Sequence, residues 1–195
     1  MAKRILIING HPDPRPERYC VAIAEACAEG ARAAGHSVET IAIAAFEFAP
    51  LQYWEDWKTG EAPPPLKAAQ EKIGWADHII FIYPLWLGCM PALTKAFLEQ
   101  TLRPGFAVPY DYAEKLFPGL LKGKSARIIV TMGMPAFIYR WYFFAHSNKL
   151  LRRNILNFCG ISPVRETVIG NIMGMDDAAR RAWLERVAGL AAKAA

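Results

Sequence analysis

The chain has 195 residues, which suits one α/β domain and leaves little room for a second. Hydrophobic residues make up 53% of it and charged residues 21%, which excludes an intrinsically disordered protein. No apolar run reaches the roughly 18 residues that a membrane-spanning helix needs, and the formal net charge of +5 favours anionic partners. The sequence therefore predicts a single domain over residues 1–195 that is not embedded in a membrane.

Cysteine usage and the N-terminus both favour the cytoplasm. The four cysteines form no C-x-x-C pair and have no histidine at a metal-ligand spacing: Cys20, Cys27, Cys89 and Cys159. We therefore expect neither a disulfide framework nor a metal site. The apolar run that follows Met1–Arg4 ends too soon for a signal peptide, so it is predicted to be a first strand.

Strand and helix signals alternate along the chain. The predicted strands are short and rich in Ile and Val: Arg4–Asn9, Ser37–Ile43, His78–Tyr83, Ala126–Thr131 and Val164–Ile169. The predicted helices lie between and after them: Glu17–Ala34, Leu66–Ala76, Ala92–Leu102, a segment within Trp141–Phe158, and Asp177–Ala194. This alternation predicts a mostly parallel sheet with helices on both faces.

In such a sheet, ligands bind beyond the carboxyl ends of the strands. The candidate site is therefore formed by the loops after the first, third and fourth strands, which are Gly10–Pro16, Pro84–Pro91 and Thr131–Tyr139. The long connection Phe46–Pro65, which contains Trp54, is a further candidate, because long loops in compact domains usually have a function or pack against a partner.

The first loop has features of a phosphate site. Pro16 suits the first position of a helix, and a helix that starts directly after a strand offers unpaired N–H groups and a partial positive charge. His11, Arg15 and Arg18 add charge-assisted donors. The loop matches neither G-x-G-x-x-G nor a Walker loop, so Rossmann-type binding of NAD is not indicated. An ordinary proline-rich turn with solvated arginines remains an equal alternative.

The second and third loops favour a planar ligand. Trp86 follows the most apolar strand and offers a flat wall for a ring, unless it is simply a core residue. Gly133 permits close approach of the backbone to a ligand. Tyr139 and His146 follow it; the alternatives for them are an interface tyrosine and a packing histidine.

Six short pieces stand in order on or near these predicted strand ends: Gly10-His11-Pro12, Tyr83–Trp86 with Met90–Lys95, Arg103–Ala107, Leu121–Ala126, Thr131–Gly133 and Phe158–Gly160. Together they resemble the flavodoxin-like NAD(P)H:quinone oxidoreductases, the family of DT-diaphorase and of the ancillary flavoproteins of bacterial potassium-efflux systems. The resemblance runs from Ile5 to about Gly170. It implies a flavodoxin-like α/β fold, with a doubly wound, five-stranded parallel sheet in the strand order 2-1-3-4-5.

The resemblance also implies a flavin held by the three loops. The first loop and helix start would hold the flavin phosphates, the Pro-Leu-Trp loop one side of the isoalloxazine ring, and the Thr-x-Gly loop its pyrimidine edge. The implied cofactor-binding residues are His11, Arg18, Tyr19, Cys20, Pro84, Leu85, Trp86, Leu87, Thr131, Met132 and Gly133. Tyr139 and His146 are the nearest matches to the tyrosine and histidine that assist hydride transfer in that family. The charge of the first loop favours FAD, with FMN as the alternative.

The implied reaction is a ping-pong transfer of two electrons. A hydride would pass from NADPH or NADH to the flavin, and a quinone or similar planar acceptor would then take the place of the nicotinamide. The N–H groups of Met132 and Gly133 are expected to stabilise the anionic reduced ring. A homodimer is also implied, with the aromatic residues after Thr131 and in Phe46–Trp57 as interface material.

Three other classes of function compete with this interpretation. An electron-carrier flavodoxin tends to be small and acidic, whereas this chain is basic. A regulatory subunit of a cation-efflux system, with a membrane transporter as partner, is a further alternative. A nucleic-acid partner is not predicted, because no recognised module is visible and the cluster Lys149, Arg152 and Arg153 is more typical of a solvated helix face.

Overall fold

Five parallel strands form one sheet at the centre of the structure, a computed structural model that describes residues 1–111 and 119–194. The strands are β1 (Arg4–Asn9), β2 (Ser37–Ala42), β3 (His78–Pro84), β4 (Ser125–Thr131) and β5 (Val164–Ile169). Their order across the sheet is β2-β1-β3-β4-β5, and each neighbouring pair is parallel. This confirms the predicted doubly wound sheet and its strand order.

Helices cover both faces of the sheet. One face packs against α1 (Tyr19–Ala33) and α7 (Asp177–Ala192). The other face packs against the remaining helical segments, which are α2 (Trp54–Thr59), α3 (Pro64–Trp75), α4 (Ala92–Thr101), α5 (Ala136–Trp141), α6 (His146–Lys149) and a π-helix (Leu150–Asn157) that continues α6. Among the described residues, no helix is both long enough and apolar enough to cross a membrane.

The central strand β3 is covered by helices on both faces of the sheet. Every residue of β3 is buried, because helices cover it on both sides. Ile80 and Ile82 point towards α1 and α7, whereas Ile79, Phe81 and Tyr83 belong to the core on the opposite face. A continuous apolar run is therefore required here, and the sequence supplies one.

The first helix begins later than its sequence predicts. Its predicted start was Glu17, but α1 begins at Tyr19. The Asp13 carboxylate accepts the N–H of Arg15 at 3.0 Å, and the N–H of Arg18 bonds to the carbonyl of Arg15 at 3.2 Å. These two bonds fold the preceding residues into turns, so the Pro16 position lies outside the helix.

The long connection after β2 contains structure that its sequence did not reveal. The predicted strand Ser37–Ile43 ends one residue early and is followed by a 3₁₀ turn at Ile43–Ala45, and α2 lies within Phe46–Pro65. Buried Arg103, just after α4, donates hydrogen bonds to the carbonyls of Asp56 and Gly60. The connection is thereby tied to the rest of the domain.

Candidate functional site

Three loops meet where β1, β3 and β4 end. The connection from β1 runs to β2 on one side of the sheet, and the connection from β3 runs to β4 on the other side, so β1 and β3 flank the topological switch point. The ring of His11 meets the ring of Trp86 edge to face, with centroids 5.7 Å apart. The Cys20 thiol lies 3.5 Å from the Thr131 hydroxyl. The structure thus brings together the three loops that the sequence singled out.

Asp13 organises the first loop. Its carboxylate pairs with Arg15 at 2.6 Å and with Arg18 at 2.5 Å. The hydrogen bond from the Arg15 N–H holds the pKa of Asp13 below its usual range. The N–H of Asp13 donates to Nδ1 of His11 at 3.0 Å, and burial lowers the pKa of His11, so its ring is neutral with the proton on Nε2. The two arginines are therefore already paired.

The start of α1 has the character of a phosphate site. No side chain caps it, and no acidic residue stands in its first turn. The N–H of Val21 bonds to the carbonyl of Arg18 at 2.8 Å, so the N–H groups of Tyr19 and Cys20 and the helix dipole are the features of this turn that suit an anion. Burial raises the pKa of the Cys20 thiol to about 11, so it stays neutral there. The Tyr19 hydroxyl donates to the carbonyl of Arg180 at 2.9 Å, which fixes this side chain against α7.

The second loop presents a rigid, half-exposed indole. Trp86 and Cys89 exchange two backbone hydrogen bonds of 2.8 and 3.0 Å, and the residues between them, Leu87 and Gly88, have φ values of +47° and +79°. These values describe a tight primed turn. Trp86 is 49% exposed, which excludes the alternative that it is a core residue. At the start of the loop, the Leu85 N–H donates to the carbonyl of Thr131 at 2.7 Å.

In the third loop, the backbone is accessible to a ligand at Gly133 but not at the Met132 N–H. The N–H of Met132 donates to the carbonyl of Ile169 at 2.9 Å, so this group is not free to bind a ring, contrary to its expected role as a donor. Gly133 differs, because a Cβ atom built there would meet only the Met173 side chain, at 3.8 Å. Close backbone approach to a ligand is therefore possible at Gly133.

The two predicted catalytic side chains have different environments. The Tyr139 hydroxyl is buried, donates to Oδ1 of Asn148 at 3.1 Å and accepts the N–H of the same residue at 3.2 Å. Burial raises the pKa of Tyr139. His146 is exposed and follows Phe144 and Ala145, whose φ values of +51° and +49° place both in the left-handed region. The Tyr139 hydroxyl is thus bonded within the chain, whereas His146 is exposed.

Comparison with known proteins fits this geometry. A family model described as the flavodoxin-like fold matches residues 3–190. The chain belongs to this family. It is 34% identical over 130 residues, 66% of its length, to an uncharacterised NAD(P)H oxidoreductase of Haemophilus influenzae, and the match spans 63% of that protein.

Two further relatives cover more of this flavodoxin-like chain. It is 27% identical over 181 residues to an FMN-dependent NADH:quinone oxidoreductase of Exiguobacterium, which spans 85% of this chain and 83% of that protein. The crystal structure of Smu.1420 from Streptococcus mutans superposes with a TM-score of 0.80 and 29% identity, over 97% of this chain and 99% of that one. These matches extend the likeness across the whole sheet and its loops.

The donor set of this flavodoxin-like protein fits a flavin. Trp86 gives a flat wall, Gly133 gives open backbone, and the start of α1 gives donors for a phosphate.

Sequence reasoning missed Asp13, which pairs with the two arginines of the first loop, and Asn148, which bonds to the Tyr139 hydroxyl. Asp13 stands two residues before Arg15 and five before Arg18, and this spacing could have indicated that it pairs with them. Within residues 1–111 and 119–194, no group of three His, Cys, Asp or Glu residues is arranged to hold a metal ion.

Proposed function

We propose that the chain is a flavin-dependent NAD(P)H:quinone oxidoreductase. The observation that carries this proposal is the convergence of Trp86, Gly133 and the uncapped start of α1 at the switch point of the sheet. The Haemophilus relative is named for NAD(P)H and the Exiguobacterium relative for quinone reduction, and both names agree with the proposal. The acceptor class is a quinone or a similar planar compound.

The residues of the site have separable tasks. A bound flavin supplies the two-electron hydride chemistry. The side chain of Trp86 packs against one side of the planar ligand and excludes water from it. The Gly133 backbone would hydrogen-bond the ring edge, and the first N–H groups of α1 would hold a phosphate. Thr131 and Cys20 fix the third loop against α1.

FMN fits the first loop better than FAD. The preference for FAD rested on spare positive charge in this loop, but Asp13 already pairs with Arg15 and Arg18. A helix start provides donors suited to a single phosphate, and the Exiguobacterium relative is named as FMN-dependent. Mass spectrometry of the cofactor released by heating the purified protein tests this choice; FAD as the main species contradicts it.

We also propose that Tyr139 and His146 assist the transfer. His146 is exposed beside the turn that carries Trp86, so its ring can reach a substrate there. The Tyr139 hydroxyl acts at the ring only if it exchanges Asn148 for a ring oxygen, because both bonds of that hydroxyl are made to Asn148. Otherwise its role is to position the segment that bears His146.

A homodimer is proposed from the exposed aromatic residues. Five of them lie in one stretch after β4 and are 40–81% exposed: Phe137, Trp141, Tyr142, Phe143 and Phe144. Tyr53 and Trp54 are exposed as well. Such a concentration of apolar surface is typical of an interface. Sedimentation at micromolar concentration should give twice the 21.7 kDa mass of the chain.

Introducing a charged side chain into the aromatic stretch after β4 tests whether this stretch forms the dimer interface. Trp141→Glu should shift the protein towards monomer, because a carboxylate would be buried in the interface. Tyr110→Glu, at an exposed aromatic residue outside both segments, is the matched control and should leave the mass unchanged. A wild-type protein that sediments as a monomer contradicts the proposal.

A cytoplasmic location is proposed from the cysteines. All four are free thiols, as expected in a reducing compartment. Cell fractionation should recover the protein with cytoplasmic markers, and recovery from an oxidising compartment contradicts this.

The decisive test of function uses the purified protein. Its absorption spectrum should be that of an oxidised flavoprotein, NADPH or NADH should bleach it without oxygen, and a quinone should restore it. An electron carrier would keep the spectrum but would not be bleached rapidly by a nicotinamide donor. If titration with FMN and with FAD gives no quenching of flavin fluorescence, the proposed function is wrong.

A further inference from the structure

An open cavity of about 480 Å³ adjoins the turn that carries Trp86. It lies between that turn and the segment formed by α6 and the π-helix. The residues used below are Gly88, Cys89, His146, Lys149, Arg153 and Asn154. None of the described residues that line this cavity is an aspartate or a glutamate. We call it the cationic cavity.

The two cations of the cationic cavity form no ion pair with the described residues. Arg152 is paired, because its guanidinium lies 3.0 Å from the carboxylate of Glu166. Lys149 and Arg153 differ, since neither has a carboxylate within salt-bridge distance in the described part of the chain. Two permanent cations thus line one concave surface, where a local field attracts anions.

An aromatic ring supports one of these cations. Nζ of Lys149 lies 5.6 Å from the centroid of the Phe144 ring, and the His146 ring lies 6.1 Å from the same ring. Phe144 and Ala145 hold left-handed backbone conformations, which non-glycine residues rarely adopt and which the surrounding packing must maintain. The local backbone therefore fixes the aromatic ring beside the cations.

The cationic cavity and the Trp86 wall share one short turn. Cys89 lines the cavity, and its carbonyl accepts the N–H of Trp86 at 2.8 Å. The cationic cavity thus borders the turn that carries Trp86 and extends away from it, along the π-helix, to Arg153 and Asn154. An extended dinucleotide has a charged portion remote from its nicotinamide, and this geometry gives that portion a place to bind.

We propose that the cationic cavity binds the 2′-phosphate of NADPH and makes NADPH the preferred donor. This inference rests on the proposed oxidoreductase function. A phosphate monoester carries nearly two negative charges at neutral pH, which matches Lys149 and Arg153. Arginine also binds phosphate oxygens in a bidentate manner. The pyrophosphate shared by NADPH and NADH is the other source of phosphate, and it carries one charge on each phosphorus atom.

The kinetic experiment measures flavin reduction by each donor separately. Lys149→Ala and Arg153→Ala should each raise the KM for NADPH roughly tenfold and leave the KM for NADH within twofold of the wild type, because only NADPH has the 2′-phosphate. Arg186→Ala, on α7 at the opposite face of the sheet, removes the same charge and should change neither constant. Lys149→Arg should restore most of the NADPH preference.

A binding measurement supports the assignment independently of turnover. Titration calorimetry should show that the wild-type protein binds adenosine 2′,5′-bisphosphate at least tenfold more tightly than 5′-AMP, and that the double variant Lys149→Ala/Arg153→Ala loses this difference.

The outcomes separate the inference from the function on which it rests. An equal rise in KM for both donors assigns the cavity to the pyrophosphate and overturns the inference, and so does an unchanged NADPH constant. A wild-type protein that is reduced by both donors but shows no 2′-phosphate preference overturns the inference while the function stands. If neither donor reduces the flavin, the function fails, and the calorimetric difference alone decides whether the cavity binds a 2′-phosphate.

Discussion

The two ends of the sheet are built in different ways. At the amino end, several charged and polar groups are paired within the chain. Asp77 pairs with Arg4 at 2.6 Å, Lys124 donates to two backbone carbonyls at 2.6 Å, and Nδ1 of the His78 ring lies 2.8 Å from the Ser125 hydroxyl. These contacts within the chain use the polar groups that they join.

At the carboxyl end, by contrast, the chain has exposed side chains and left-handed backbone conformations. Trp86 and His146 are exposed, and Leu87, Phe144 and Ala145 hold left-handed backbone conformations. Strained backbone and exposed aromatic rings are expected where a ligand or partner binds. The comparison indicates that stability and binding are separated along the strands, so mutations should affect one without the other.

The largest expected effect is on stability, in the middle of β3. Ile80→Ala removes a fully buried side chain and should lower the free energy of unfolding by about 3–4 kcal/mol. The flavin affinity of the protein that remains folded should stay within twofold of the wild type. Urea denaturation without flavin and a flavin titration at low temperature measure the two effects. A large loss of flavin affinity would show that stability and flavin binding depend on the same residues.

At the amino end, His78 should make the fold sensitive to acid. Burial lowers its pKa to about 4, from 6.5 in an unfolded chain, and nearby cations add to the shift: Lys3, Arg127, His36 and Arg165. The unfolded state therefore binds more protons between pH 6.5 and 4, and stability falls as the pH drops through this range, by up to about 3 kcal/mol.

His78→Gln tests this pH dependence. The variant should show a flatter profile of unfolding free energy between pH 7 and pH 4 than the wild type. Equal slopes in the wild type and His78→Gln contradict the assignment.

At the carboxyl end, Trp86→Ala should weaken the binding of flavin without unfolding the protein. Loss of the half-exposed indole should raise the flavin dissociation constant roughly thirtyfold, or about 2 kcal/mol, and change the stability of the flavin-free protein by less than about 1 kcal/mol. Trp86→Phe should retain part of the affinity. A variant that loses several kcal/mol of stability would place Trp86 among the residues that hold the fold.

The smallest effects are expected in the rate of flavin reduction. Tyr139→Phe and His146→Gln should each slow reduction by NADPH about tenfold in stopped-flow measurements, because each removes a donor that we propose to assist the transfer. Tyr139→Phe should also lower stability by about 1 kcal/mol, since Asn148 loses its buried partner. Unchanged rates in both variants would show that neither residue assists the transfer.

Sequence patterns predicted the elements that depend on local composition. The Ile- and Val-rich strands and the alanine-rich first helix are confirmed to within a few residues, and the three loops meet as the strand order requires. The pairing of side chains was not predictable in the same way. Whether Arg18 binds a ligand or Asp13, and whether the Met132 N–H is free, depends on tertiary contacts that no periodicity records.

Tyr139 shows the same limit. Its place after the third loop was visible in the sequence, but its hydroxyl bonds to Asn148, beyond two residues with left-handed backbone, Phe144 and Ala145. Left-handed conformations at a phenylalanine and an alanine have no sequence signature, because glycine and asparagine are the residues that normally adopt them. The short helix α2 was missed for a related reason, since tertiary contacts such as those from Arg103 hold it in place.

The pairing of Asp13 also affects how ligands arrive. Residues 10–18 contain two arginines and two carboxylates, Asp13 and Glu17, so this segment has no net charge when His11 is neutral. Long-range attraction speeds the encounter of oppositely charged molecules, and a neutral segment does not provide it. The first loop should therefore add little to the long-range attraction of anions that the net charge of +5 of the whole chain provides. A segment without net charge suits a cofactor that is acquired once and retained, whereas a donor must enter and leave at every turnover.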